Sequence, residues 1–197
     1  MLYWLENDTK RIFKYAYKDL SLTGYTRDFC SKCGRSIVSP QYIETPPHLI
    51  LEGGRQFPDF LQFCGAGNRL FVVSEKALSL FEKSKVTGFS SSERCLIECI
   101  STNRVFHAVP VYYSLEINGR VDLDLIAMHL KKKNKCDACS QFTWSRTRMD
   151  PLIIDLNTWD GSDICLLDSI PGLKLCSEKV VDIVKTNRFT GFSLSKA

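Results

Sequence analysis

The chain has 197 residues and a mass of 22.5 kDa, with 44% hydrophobic and 24% charged residues. That composition supports a folded core and excludes a disordered chain. Lys+Arg 26 against Asp+Glu 22 gives +4, too small a basic excess to argue for nucleic acid by itself.

Residues 1–19 are amphipathic and charged. They lack an apolar core followed by a small-residue cleavage site, so no signal peptide is read there. No later stretch approaches the ~18 consecutive apolar residues of a membrane span. A cytoplasmic protein is expected. A first Cys-x-x-Cys-Gly stands at Cys30, Cys33 and Gly34. Phe57-Pro58-Asp59-Phe60 reads as the tip of a loop. Gly65-Ala66-Gly67-Asn68-Arg69-Leu70 begins like a dinucleotide loop but lacks the third glycine, and reads as a turn. An apolar run at 70–73 predicts a strand. Ser74 is placed to cap a helix whose stripe is Ala77, Leu78, Leu80 and Phe81. Lys83 and Lys85 suit its C-terminal end, and Gly88 allows the turn that follows.

Strands are predicted over 94–100 and 105–117, with Asn118-Gly119 as a hairpin into 120–122. Leu123, Ile126, Ala127 and Leu130 keep a helical spacing that ends in Lys131-Lys132-Lys133. A second Cys-x-x-Cys follows at Cys136 and Cys139. The last pattern is a strand at 173–176, then Ser177 as cap, then a helix with Val180, Val181, Ile183 and Val184 inside. Lys185, Arg188 and Gly191 close it.

The last pattern repeats an earlier one. Residues 70–90 align with 173–193 at an offset of 103 without a gap, and eight of 21 positions are identical. About one identity is expected by chance from average residue usage. The same offset aligns 49–52 with 152–155, and the Cys-x-x-Cys pairs repeat at 106. The expected fold is α+β: a single domain over 1–197, built from related strand–helix units at about 30–104 and 136–197.

Nine cysteines occur, at 30, 33, 64, 95, 99, 136, 139, 165 and 176. An odd number in a reducing compartment argues against a disulfide framework. Two-residue spacing lets both thiolates of a knuckle face one ion, and two knuckles complete the tetrahedral Cys₄ shell that zinc favours. The favoured reading is a structural zinc shared by Cys30, Cys33, Cys136 and Cys139. A free thiol pair, a decayed site and a redox Cys-x-x-Cys are the alternatives. A thioredoxin-like strand-then-helix context is not seen around either pair. Cys64, Cys95, Cys99, Cys165 and Cys176 sit in apolar runs and read as core thiols.

No catalytic constellation is found. Gly-x-Ser-x-Gly, a phosphate loop and His-Glu-x-x-His are all missing, and His48, His107 and His129 have no partner recognisable by sequence. The expectation is a protein that is not an enzyme.

The order of these pieces resembles the double-CxxCG motif immunity proteins found beside contact-dependent bacterial toxins. The resemblance runs from Cys30-x-x-Cys33-Gly34 through Leu70-Phe71-Val72-Val73-Ser74-Glu75-Lys76 and Thr87-Gly88-Phe89. It continues with Tyr113-Ser114-Leu115-Glu116-Ile117-Asn118-Gly119-Arg120 and Cys136-x-x-Cys139, and ends at Thr190-Gly191-Phe192. Ser140 stands where the family pattern has glycine. The resemblance implies a protein that neutralises a cognate toxin in the producing cell by direct stoichiometric binding, in competition between bacteria.

A docking surface is sought in the acidic stretch between Arg148 and Lys174, which holds Asp150, Asp155, Asp160, Asp163 and Asp168 and no Lys or Arg. Trp159 with Asp155, Asp160 and Asp163 suits a basic toxin, an aromatic anchor ringed by charge. The plainer reading is a solvated loop, because charge runs usually face water. The loop tip at 57–60 is the second candidate. The competing function is a zinc-ribbon nucleic-acid binder or regulator using the lysines of 131–135. Those lysines adjoin a predicted helix end, and no aromatic–basic stripe accompanies them in sequence.

Overall fold

The structure is a computed structural model. It describes residues 1–7, 15–19, 22–42, 46–52, 56–61, 71–100, 108–145, 151–170 and 172–197. Cys64, His107, Asp150 and the turn expected at 65–70 lie outside them. Before the first helix come β1 (Leu2–Asn7), β2 (Tyr15–Asp19), β3 (Leu22–Phe29), β4 (Ser36–Tyr42), β5 (His48–Glu52), β6 (Phe60–Leu61) and β7 (Phe71–Ser74). Helix α1 (Glu75–Lys83) follows, then β8 (Phe89–Arg94), β9 (Leu96–Ile100), β10 (Tyr112–Ile117), β11 (Gly119–Leu123), β12 (Lys132–Lys133), β13 (Thr143–Trp144) and β14 (Ile154–Asp155). A 3₁₀ turn at Leu156–Thr158 leads to β15 (Ile164–Leu167), β16 (Lys174–Ser177), α2 (Glu178–Asn187) and β17 (Phe192–Lys196). Strands with two helices make the described chain α+β.

Both helices start for the same reason. Ser74 and Ser177 take extended N-cap backbones, and Glu75 or Glu178 fills the first turn, where an acid suits the helix dipole. The Ser74 hydroxyl accepts from the Ala77 N–H at 3.2 Å. The Ser177 hydroxyl makes no such cap and instead donates to Asp163 Oδ1 at 2.7 Å, contrary to the sequence expectation. Each helix ends on a left-handed residue, Lys85 (φ 51°) or Arg188 (φ 53°), three positions before the glycine expected to turn the chain. Gly88 and Gly191 serve another purpose, given below. The buried faces are Ala77, Leu78 and Phe81 on α1 and Val180, Val181 and Val184 on α2.

The two strand–helix–strand segments lie in sheets of like order. One sheet runs β6-β7-β10-β8. The other contains β15-β16-β1-β17, extended by β11 and β14 beyond β15. Every pairing within these two four-strand sets is antiparallel. The strand inserted between the arms of each segment comes from elsewhere in the chain. For the second it is β1, with Leu2 opposite Ser177 and Tyr3 opposite Lys196. For the first it is β10, with Tyr112 opposite Ser74. The hairpin expected at Asn118-Gly119 is not formed. Both N–H groups there bond to Gly88 O, and the chain passes from the β10 sheet into the β11 sheet.

Two aspartates brace the segments across one another. Asp59 lies just before β6, accepts from the Ser74 hydroxyl at 3.2 Å, and takes Thr190 N–H at 3.0 Å. Asp163 lies just before β15, accepts from Ser177, and takes Thr87 N–H at 2.9 Å. Each carboxylate thus joins the cap of one helix to the turn after the other. The glycine beside each threonine makes this approach feasible. A Cβ at Gly88 would fall 1.9 Å from Ile164 O, and one at Gly191 would fall 1.9 Å from Phe60 O. The main apolar cluster is correspondingly joint: Phe60, Val73, Leu78, Phe81, Leu115, Ile164, Val181 and Phe189 pack together. Further clusters form around Val121, Leu167 and Leu175 and around Leu49, Leu51 and Tyr112.

The helix expected over 123–130 is a turn instead. Asp124 Oδ1 accepts from Ile126 N–H and Ala127 N–H, and Leu130 N–H returns to Leu125 O. The apolar spacing misleads because Leu123, Met128 and Leu130 are buried while Ile126 is 88% exposed.

Candidate metal centre

Each Cys-x-x-Cys sits at the tip of a two-stranded hairpin. Strands β3 and β4 pair down to Phe29 opposite Ser36 and hold Cys30–Cys33 at their end. Strands β12 and β13 hold Cys136–Cys139 between them. The backbone then folds the same way twice. Cys30 N–H donates to Arg35 O at 2.9 Å and Gly34 N–H to Cys30 O at 2.8 Å. Cys136 N–H donates to Gln141 O at 2.9 Å and Ser140 N–H to Cys136 O at 2.7 Å. The fifth position needs a left-handed backbone, and Gly34 supplies it at φ 69°. Ser140 adopts φ 58° there, a conformation that costs an L-residue about 1–2 kcal/mol.

The two tips face each other. Cys30 Sγ lies 3.8 Å from Cys136 Sγ and Cys33 Sγ 3.7 Å from Cys139 Sγ, and all four sulfurs fall within 4.8 Å of one another. A tetrahedron with Zn–S of ~2.3 Å has an S···S edge of about 3.8 Å. The four cysteines therefore form a cluster of the right chemistry and size to hold a metal ion. Contacts between the tips support it: Lys32 Nζ to Asp137 Oδ2 at 2.6 Å, Arg35 Nη1 to Gln141 O at 2.7 Å, and Gln141 Nε2 to Ser36 O at 3.1 Å. Cys30 and Cys136 are buried, Cys139 is half-buried and Cys33 is exposed.

Backbone N–H groups of Cys33 and then Lys32 point at the Cys30 sulfur and pull its thiol down to about 6. The N–H of Gln141 favours a thiolate at Cys139 too. Burial and its hydrogen bonds to Cys30, Cys33 and Cys136 outweigh that and push the thiol up to about 12. Four thiols this close cannot all ionise unaided, because each new thiolate repels the last. A bound cation removes that barrier and deprotonates coordinating thiols outright. Asp137 is held below the usual carboxylate range, first by Lys32.

The other described cysteines are placed apart from this cluster. Cys95, Cys165 and Cys176 are buried among apolar side chains and Cys99 is half-buried. Burial pushes the Cys165 and Cys176 thiols up to about 12, which leaves them protonated and inert. His48 pairs with Glu98 at 2.7 Å and His129 is exposed in the 124–130 turn.

The residues expected to meet a toxin each have hydrogen-bond partners within the fold, and Asp160 is exposed while Asp155, Trp159 and Asp163 are half-buried. Trp159 is half-buried against the Val121–Leu175 cluster, with its Nε1 donating to Ser162 O at 2.9 Å. Asp160 accepts from Arg120 N–H and Ser162 N–H, and Asp163 carries the cross-brace described above. Asp155 caps Asn157 N–H at 3.0 Å. At the other candidate surface, Phe60 is 3% exposed and Asp59 is the second cross-brace, so that segment belongs to the core rather than to a loop tip. Sequence reading missed both braces. The signal was present, since Asp59-Phe60 and Asp163-Ile164 recur at an offset of 104, one residue out of step with the repeat.

Comparison of the chain with protein-family models and with curated proteins finds no match. No helix among the described residues is long and apolar enough to cross a membrane.

Proposed function

We propose that this is a non-catalytic immunity-type protein. In this reading two related strand–helix units are clamped by one structural zinc on Cys30, Cys33, Cys136 and Cys139. The rigid body they form binds a cognate toxin stoichiometrically in the cytoplasm of the producing cell. The observation that carries it is the closed set of four thiols between the two hairpin tips. Four protein ligands leave no position open for substrate, so such an ion holds structure rather than performing chemistry. Kinship of the units is supported by the like strand order, the paired aspartate braces and the identical knuckle hydrogen bonds. The toxin itself enters through the order of motifs in the sequence.

The test is twofold. Protein purified without chelator should contain one zinc per chain by elemental analysis. The polypeptide encoded beside the gene should bind it 1:1 and lose its activity in proportion. If a small fraction of an equivalent destroys that activity over time, the protein is an enzyme and the reading fails.

One observation favours the second reading, a zinc-ribbon nucleic-acid binder. The β12–β13 hairpin brings an aromatic pair to the lysines that the sequence left without one. Lys132 Nζ lies 4.9 Å from the Phe142 ring centre and 5.8 Å from that of Trp144. Trp144 also packs on the apolar core, which reduces the ring surface open to a base. Salt-sensitive binding of a single-stranded oligonucleotide by the zinc-loaded protein would favour this reading.

A further inference from the structure

We infer that the surface around β14, at the edge of the six-stranded sheet, is the docking site for a basic polypeptide, with Ile126, Ile153 and Leu156 as its apolar seat. The inference rests on the immunity reading and moves the contact away from Trp159.

Large apolar side chains seldom stand in water together without a partner to cover them. Ile126 is 88% exposed, Leu156 60% and Ile153 38%. These three are brought together by the backbone. Strand β14 pairs with β11, placing Asp122 opposite Asp155 and Leu123 opposite Ile154. Asp124 N–H donates to Ile153 O at 2.8 Å, and Ile153 N–H donates to Met128 Sδ at 3.4 Å. The turn bearing Ile126 thus lies against the segment bearing Ile153 and Leu156. Among the described residues the other exposed large apolar side chains, Met1, Phe29, Leu96 and Val109, belong to other parts of the chain.

The seat is also built before anything binds. Asp124 holds the Ile126 turn through two N–H groups, and Asp155 fixes the start of the 3₁₀ turn bearing Leu156. Little backbone ordering is left to oppose association. Among the described residues β14 pairs only with β11, at the end of the sheet order.

Charge identifies the partner. Asp124 and Asp155 stand on the two segments that carry the apolar residues; each accepts from local N–H groups, and neither has an ion pair among the described residues. Arg120, the cation on β11, is paired with Asp168. Residues 151–170 include no Lys or Arg. An apolar seat whose acidic residues have no ion pair among the described residues fits a basic face, which gains both burial and steering.

The test uses full-length, zinc-loaded protein and the purified polypeptide encoded by the adjoining gene, titrated calorimetrically. We expect 1:1 binding by the unaltered chain and a loss of at least ~10-fold in affinity for Ile126→Ser combined with Leu156→Ser. Zinc content and circular dichroism should stay unchanged, because both side chains already face water. Asp155→Asn keeps an oxygen for Asn157 N–H and should slow association several-fold at low salt, an effect that vanishes at high salt. If the unaltered chain binds and the double variant binds equally well, the surface is wrong while the immunity reading stands. If the unaltered chain does not bind, both fall. If the unaltered chain sediments as a dimer that the double variant dissolves, the seat is filled by a second copy and the inference is overturned.

Discussion

Replacing Asp163 with alanine should destabilise the protein by about 3 kcal/mol. The carboxylate is 13% exposed and accepts from Ser177 Oγ at 2.7 Å, Thr87 N at 2.9 Å, Thr87 Oγ1 at 3.2 Å and Lys179 Nζ at 3.0 Å. Hydrogen bonds to a charged group contribute roughly 1.5–3 kcal/mol each. The lysine contact is discounted because that side chain is 42% exposed and screened by water. The longer Thr87 hydroxyl bond adds little, so the two short bonds set the figure at the lower end of the range. Total stabilities of about 5–15 kcal/mol make such a loss large. Urea titration should show an earlier midpoint with an unchanged slope, and hydrogen exchange should show Thr87 N–H losing protection, although it lies 76 residues away in sequence. The effect also has a pH signature. Burial alone would raise the Asp163 carboxyl, but the Ser177 hydroxyl, the Thr87 N–H and Lys179 outweigh it and hold it below the usual range. Its contribution is therefore full above the unfolded value of ~3.9 and disappears as pH falls through the lower folded value. The variant and the unaltered protein should converge in stability in strong acid. A loss below ~1 kcal/mol at neutral pH, or a Thr87 amide that stays protected, would refute the brace.

Other changes test other links. Ser140→Gly should stabilise by about 1 kcal/mol by relieving the left-handed serine, read as a raised melting temperature at constant zinc. Gly88→Ala should destabilise by more than ~3 kcal/mol, since its Cβ would strike Ile164 O in a backbone at φ 97°; denaturant titration checks it. Cys33→Ser should lower zinc content and melting temperature together, and chelator should lower the melting temperature of the unaltered protein but change the variant far less.

The short-range chemistry was readable in the sequence, and the long-range exchange was not. Cys30, Cys33, Cys136 and Cys139 announce themselves by spacing, and Ser74-Glu75 and Ser177-Glu178 by their place between an apolar run and an amphipathic stripe. Each depends on residues a few positions apart. The Leu2–Ser177 and Tyr112–Ser74 pairings depend on which distant strand fills a gap, and nothing local specifies that. Asn118-Gly119 has the composition of a tight hairpin, yet its N–H groups are taken by Gly88 O and its two strands part into different sheets. Ile126 kept a helical interval by coincidence: the bonds of this turn run from His129 N–H to Ile126 O, from Met128 N–H to Asp124 O and from Leu130 N–H to Leu125 O, so no regular helical ladder forms. The acidic run was visible as charge, but which carboxylates turn inward depends on the donors facing them, Thr87 and Ser177 for Asp163.

The insertion of β1 between β16 and β17 has a consequence for how the chain is made. Tyr3 is synthesised 193 residues before its partner Lys196. At about 5–20 residues per second, that strand waits roughly 10–40 s before its place in the sheet exists. Leu2, buried to 3% in the finished protein, is exposed to chaperones and proteases throughout that interval. The first knuckle likewise waits for its fellow. On the immunity reading proposed above, a fragment that lacks β16 and β17 should therefore give no protection.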